Sequence, residues 1–180
     1  MQRHFGLSEI DERAQAVSFS SRFGVQMSKI PQGPGVCGDY VVTETSHNTS
    51  ELEVALGYPL LGKLIEFKND KASLKTGNFY FEFEQTGNGW FTSKPSGHAK
   101  AIDMGCILVI SSGANTYIFN ENSFPNLLQC STRELTTRAG RNGNPPGVYT
   151  RAKIVPVKHG EATASYYYNT TEHRDPRTLA

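Results

Sequence analysis

Three things are scarce in this sequence of 180 residues: long apolar runs, cysteines at paired spacings, and net charge. No run approaches the roughly 20 consecutive apolar residues that cross a bilayer as a helix, so no membrane partner is expected. Cys37, Cys106 and Cys130 are odd in number and widely separated. They support neither a disulfide framework nor a Cys-x-x-Cys zinc site, and reduced thiols in a cytoplasmic protein are the expectation. The opening residues, Met1-Gln2-Arg3-His4-Phe5-Gly6, lead straight into an acidic amphipathic segment. They lack the apolar stretch of a secretory leader, which points the same way. Internal repeats and linkers are missing too, so one domain over residues 1–160 is expected, with residues 161–180 as a C-terminal arm or tail.

What is present is an ordinary globular composition, 37% hydrophobic and 19% charged. The net charge of +1 hides an uneven spread. Residues 131–160 hold Arg133, Arg138, Arg141, Arg151, Lys153 and Lys158 against Glu134 alone, leaving the rest of the chain acidic. An acidic front and a basic, Gly-rich rear suit a metal-binding half and a phosphate-binding half, or simply a solvated basic loop.

Hydrophobic periodicity places the elements. Ser8 and Asp11 resemble a capping box, and Ile10, Ala14 and Val17 recur at helical spacing, predicting a helix over 9–17. Residues 18–35 read as connection, and Val36–Thr43 as a strand carrying Asp39. Leu64–Lys68 alternates strictly, with Ile65 and Phe67 on one face and Leu64, Glu66 and Lys68 on the other. Asn78–Gln85 is the clearest strand, its Phe79, Phe81 and Phe83 forming a core stripe beside Glu82 and Glu84. A helix from Ser96 to about Met104 follows, then a doubly covered strand at Cys106–Ile110. A strand at 116–119, a short helix at 123–129 and a return to the sheet over 148–157 complete the order. The expected class is α/β or α+β, a central mixed sheet flanked by helices.

On an open strand face, Glu66 and Lys68 would form a surface pair worth less than about 1 kcal/mol. In a cleft they acquire chemistry. Neighbouring strands lie about 4.8 Å apart, so Asp39 and Glu66 at facing positions would share one hard cation. Mg²⁺ suits two carboxylates plus water and a phosphate oxygen, and Lys68 would orient a water or neutralise a phosphoryl transition state.

The ordered blocks Gly38-Asp39-Tyr40, Ile65-Glu66-Phe67-Lys68-Asn69-Asp70, Lys75-Thr76-Gly77-Asn78-Phe79-Tyr80-Phe81-Glu82-Phe83-Glu84 and Pro95-Ser96-Gly97-His98 resemble the PD-(D/E)XK nuclease superfamily, and phage-type members in particular. The resemblance runs over roughly residues 8–157, with Gly38 standing where the family pattern has proline. It implies a restriction-endonuclease-like core and a metal-dependent endonuclease acting on DNA. Asp39 and Glu66 would be ligands to Mg²⁺, with Mn²⁺ as substitute, and Lys68 the catalytic lysine. Glu82 would support the metal or its water, and Glu9 or Glu12 on the first helix would add a further carboxylate. Ser96, Arg138, Arg141 and Asn142 are the candidate nucleic-acid contacts. A homodimer is one admissible assembly, and for a phage-encoded chain the compartment would be the host cytoplasm. The competing expectation is a catalytically silent nuclease-like module that binds nucleic acid or protein, such as a phage inhibitor of a host factor.

Overall fold

Ala16, Phe19 and Phe23 recur three and four residues apart, and this stripe carries α1 (Gln2–Phe23) well past the predicted end. The computed structural model describes residues 2–33, 35–87, 93–137 and 147–171, with side chains from residue 9 onward. The Ile10–Ala14–Val17 stripe is the outer face of the helix, with Ile10 65% and Val17 64% exposed. Ser8 lies within α1 rather than capping it. Ser18, Ser20 and Ser21 are weak helix formers, but burying two phenylalanines outweighs a few tenths of a kcal/mol each.

After α1 come β1 (Gln26–Lys29), β2 (Tyr40–Glu44) and α2 (Ser50–Leu56), the last preceded by a 3₁₀ turn at His47–Thr49. β3 (Leu64–Asn69), α3 (Ser73–Thr76), β4 (Asn78–Thr86), β5 (Ser93–Pro95) and α4 (Gly97–Asp103) follow. The remainder is β6 (Ile107–Ser112), β7 (Asn115–Phe119), α5 (Phe124–Leu128), β8 (Arg133–Thr137), β9 (Tyr149–Pro156), α6 (Gly160–Thr163) and β10 (Tyr166–Asn169).

The fold is mixed α+β, built on a central six-stranded sheet in the order β1-β2-β3-β6-β7-β10. β3 and β6 run parallel and the other neighbours antiparallel, so the sheet is mixed. Alternation divides its side chains between two cores. Ile65, Phe67, Ile107, Val109 and Ile118 pack under Phe19 and Phe23 of α1 and Leu52 and Leu56 of α2. Leu108, Ile110, Tyr117 and Phe119 face the other way, onto Phe79, Phe81 and Val155 with Ile102, Phe124 and Leu127.

That second core reveals a layer the sequence reading did not foresee. β4 and β9 do not extend the central sheet; they form a separate four-stranded sheet, β5-β4-β9-β8. It covers the face on which Glu66 and Lys68 stand. Period-two alternation shows that a strand has a buried face but not which strand it pairs with, and Phe79 and Phe81 satisfy either arrangement. Within the segment expected to be a C-terminal arm, Tyr166–Asn169 pairs with β7 along the edge of the central sheet. Tyr168 is buried there, edge-on to Phe23 with ring centroids 5.7 Å apart. Among the described residues no helix is long and apolar enough to cross a membrane.

Candidate active site

The site begins where β2 meets β3. Their register pairs Tyr40 with Ile65 and Val41 with Leu64, and continuing it by one residue sets Asp39 across from Glu66. Asp39 precedes β2 rather than lying within it, and its main chain already joins the ladder, donating to Ile65 O at 2.8 Å. At this end of the pairing its side chain replaces a backbone acceptor: Oδ2 accepts the Phe67 N–H at 2.7 Å. That bond fixes the carboxylate beside the peptide that joins Glu66 to Phe67.

Gly38 makes the approach tight. Its φ of +85° is left-handed, and a Cβ there would lie 3.2 Å from Leu64 Cβ and 3.5 Å from Cys106 Sγ. Glycine therefore meets both a conformational and a steric need at this position. Its backbone also lies against Glu66 and favours the charged form.

Both carboxylates are reluctant to ionise. Burial, opposed by the Phe67 hydrogen bond and aggravated by Glu12, pushes Asp39 up to about 6. Burial and then the charge of Asp39 push Glu66 up to about 7, with Glu12 adding to the effect. Of the two glutamates expected on the first helix, Glu12 is therefore the one within electrostatic reach of both acids. It also accepts from Lys29 Nζ at 3.1 Å, whereas Glu9 is exposed.

Lys68 shares the face of Glu66 but is directed further along the cleft. Its Nζ donates to Tyr80 O at 2.6 Å, lies 3.7 Å from Asp70 Oδ2 and sits 5.1 Å from the Phe81 ring. Burial lowers its pKa, and the negative charge of Asp70 works against that shift. Asp70 also holds the turn after β3, with Oδ1 accepting the Ser73 N–H at 3.1 Å. Glu82 reaches the same cleft from β4, its pKa raised by burial and lowered by Lys68. It stands at a register shift between β4 and β9, close under Gly97.

The expected nucleic-acid contacts fare differently. Ser96 is buried, its hydroxyl finds no hydrogen-bond partner and does not cap α4, so it is not presented to a surface as an anion contact would be. His98 packs edge-on to Phe81, its Nδ1 enclosed without a partner. Burial and then Lys68 push this imidazole down to about 3. Arg138, Arg141 and Asn142 lie outside the described residues. Arg151 is held between Glu84 at 2.9 Å and Glu134 at 2.7 Å, so part of the basic rear is neutralised internally.

Among the described residues no group of three or more His, Cys, Asp or Glu side chains is placed to hold a metal ion by itself. The carboxylates that could share a cation are the facing pair Asp39 and Glu66, with Glu12 near enough to influence both. Magnesium suits such a pair, since it keeps most of its waters and takes one or two carboxylates together with substrate phosphate. Comparison with protein-family models, curated proteins and solved structures finds no match for this chain.

Proposed function

We propose that the protein is a metal-dependent endonuclease hydrolysing DNA phosphodiester bonds, with a PD-(D/E)XK-like site formed by Asp39, Glu66, Lys68 and Glu82. One observation carries the reading. Two half-buried carboxylates face each other at adjacent strand ends, and the charge of Asp39 adds to the cost of ionising Glu66; Lys29, whose charge favours ionised Asp39, forms its ion pair with Glu12 instead. A site built only for stability would pair one of them with a cation from the chain. A site built for a divalent ion leaves that charge to be supplied.

Asp39 and Glu66 would hold Mg²⁺, which when bound would stabilise charge on the scissile phosphate and acidify a water. Asp39 is oriented by the Phe67 N–H and so reaches the pair without a search over rotamers. Lys68, kept on the Glu66 face by Tyr80 O and Asp70, supplies positive charge to the same cleft for a phosphoryl oxygen. Glu82 opposes it from the second sheet and would accept a proton from a water lying between the layers.

The experiment is cleavage of supercoiled, linear and branched DNA with Mg²⁺, Mn²⁺ or EDTA, wild type beside Glu66→Gln and Lys68→Ala. The reading expects metal-dependent cleavage that falls at least about a hundredfold in either variant. Equal cleavage by all three proteins would sink it. A second reading, the silent nuclease-like binder, is favoured by the engagement of Lys68 with Tyr80 O and Asp70. It expects retention of DNA with steep salt dependence and no cleavage under any metal.

A further inference from the structure

Cys37 and Cys106 are 69 residues apart in sequence, yet their sulfurs lie 3.0 Å from each other, with Cys106 within electrostatic reach of Glu66 and Asp39. Cys37 is half-buried in the loop before Gly38, and its Sγ also lies 3.9 Å from Ala101 O. Cys106 is fully buried, immediately ahead of β6, and the space beside Gly38 ends on its sulfur. Both are free thiols, while the remaining cysteine, Cys130, lies against Asn126 O instead.

We infer that Cys37 and Cys106 form a reversible dithiol–disulfide pair, oxidised by peroxide, whose closure weakens cation binding at Asp39 and Glu66. The second half rests on the metal-site reading above; the first does not. Closing the bond requires the sulfurs to approach by about 1 Å, to the ~2.05 Å of a disulfide. Cys106 is locked in the core at the start of a central strand, so the loop bearing Cys37 makes the movement. That loop carries Gly38, whose backbone supports charged Glu66, and Asp39, whose carboxylate is set by the Phe67 N–H. Pulling it toward β6 disturbs both.

The chemistry balances in two steps. Hydrogen peroxide oxidises the more accessible Cys37 to a sulfenic acid and leaves as one water. The Cys106 thiol then attacks that sulfur, an S–S bond forms, the S–O bond breaks, and hydroxide leaves with the thiol proton as a second water. The two thiols lose two electrons and peroxide gains them.

The test treats the full chain with hydrogen peroxide, alkylates the remaining thiols and maps peptides by mass spectrometry before and after dithiothreitol. A Cys37–Cys106 linked peptide that dithiothreitol resolves, with Cys130 still alkylated, is the expected result. Separate alkylation of Cys37 and Cys106, or sulfinic acid at either, overturns the pairing. Thermal denaturation against Mg²⁺ then compares the oxidised and reduced proteins, with Cys37→Ser as the form peroxide cannot close. An apparent Mg²⁺ affinity about tenfold weaker in the oxidised wild type alone is expected. Equal Mg²⁺ responses in both redox forms overturn the coupling. If neither form responds to Mg²⁺, the metal-site reading and the coupling fall together, while the peptide map still decides the pairing.

Discussion

Burial and the neighbouring Asp39 both penalise the charged form of Glu66, so the folded protein holds its proton more tightly than the unfolded chain does. Between the ordinary carboxylate range and about pH 7 the folded state therefore binds more protons, and this contribution to stability falls as pH rises through that window. His98 works in the opposite sense. Its imidazole is held neutral down to about pH 3, so the stability it contributes above its unfolded value near 6.5 is lost as pH falls below that value. The two slopes partly cancel in the wild type, and differences between variants isolate each. In EDTA, Glu66→Gln is expected to be more stable than wild type at pH 8 by about 1–2 kcal/mol, allowing for solvent screening, and to lose that advantage near pH 5. Thermal melts at the two pH values check this, and a Gln variant less stable at pH 8 would refute it. His98→Gln should lose less stability than wild type between pH 7 and pH 5. Parallel melting curves for the two proteins across that range would show that His98 titrates normally.

At the scale of elements, the site depends on how closely α4 approaches β4. Gly97 has φ +55°, and a Cβ on it would lie 2.5 Å from Glu82 Cβ and 3.1 Å from Glu82 O. Neither neighbour is the free end of a flexible side chain, so Gly97→Ala forces α4 and β4 apart. A loss of about 2–3 kcal/mol in chemical denaturation is expected and, if the proposed nuclease reading holds, a lower rate of Mg²⁺-dependent cleavage with it. Wild-type stability in the alanine variant would mean that the two elements yield without cost. Elements were legible in the sequence where local pattern decides them. β3, β4 and β6 follow from alternation or an unbroken apolar run, and Glu66 and Lys68 fall on one face because a strand has period two. α1 was misread in phase because Ile10, Ala14 and Val17 fit a helix as well as Ala16, Phe19 and Phe23, and only the partner sheet selects the buried stripe. The hold of Asp70 on Lys68 and the meeting of Cys37 with Cys106 arise from tertiary contact, and no linear spacing announces them. Asp39 was identifiable by residue type, but its bond to the Phe67 N–H depends on where the β2–β3 ladder ends.

At the scale of the whole molecule, the central sheet is closed by a strand from the far end of the chain. Tyr166–Asn169 pairs with Asn115–Ile118 and places Tyr168 over the aromatic core of α1. Phe23 meets Tyr166 and Tyr168 edge-on, with ring centroids 5.4 and 5.7 Å away, and the Arg22 guanidinium stacks 3.9 Å from the Tyr168 ring centroid. The same α1 carries Glu12 to the carboxylate pair, so an anchor at one edge of the sheet helps to fix an acidic group near its other end. Tyr168→Ala removes a buried ring and two of these contacts, and should cost about 3 kcal/mol. A stop after Ser165 also exposes the outer edge of β7, leaving its N–H and C=O groups to solvent, and should cost more and promote association between chains. Urea denaturation gives the first quantity, and light scattering at increasing concentration gives the second. If both changes left stability and association at wild-type levels, residues 166–169 would be a dispensable arm. A loss in both would make the final strand part of the domain that holds α1, and with it Glu12, in place.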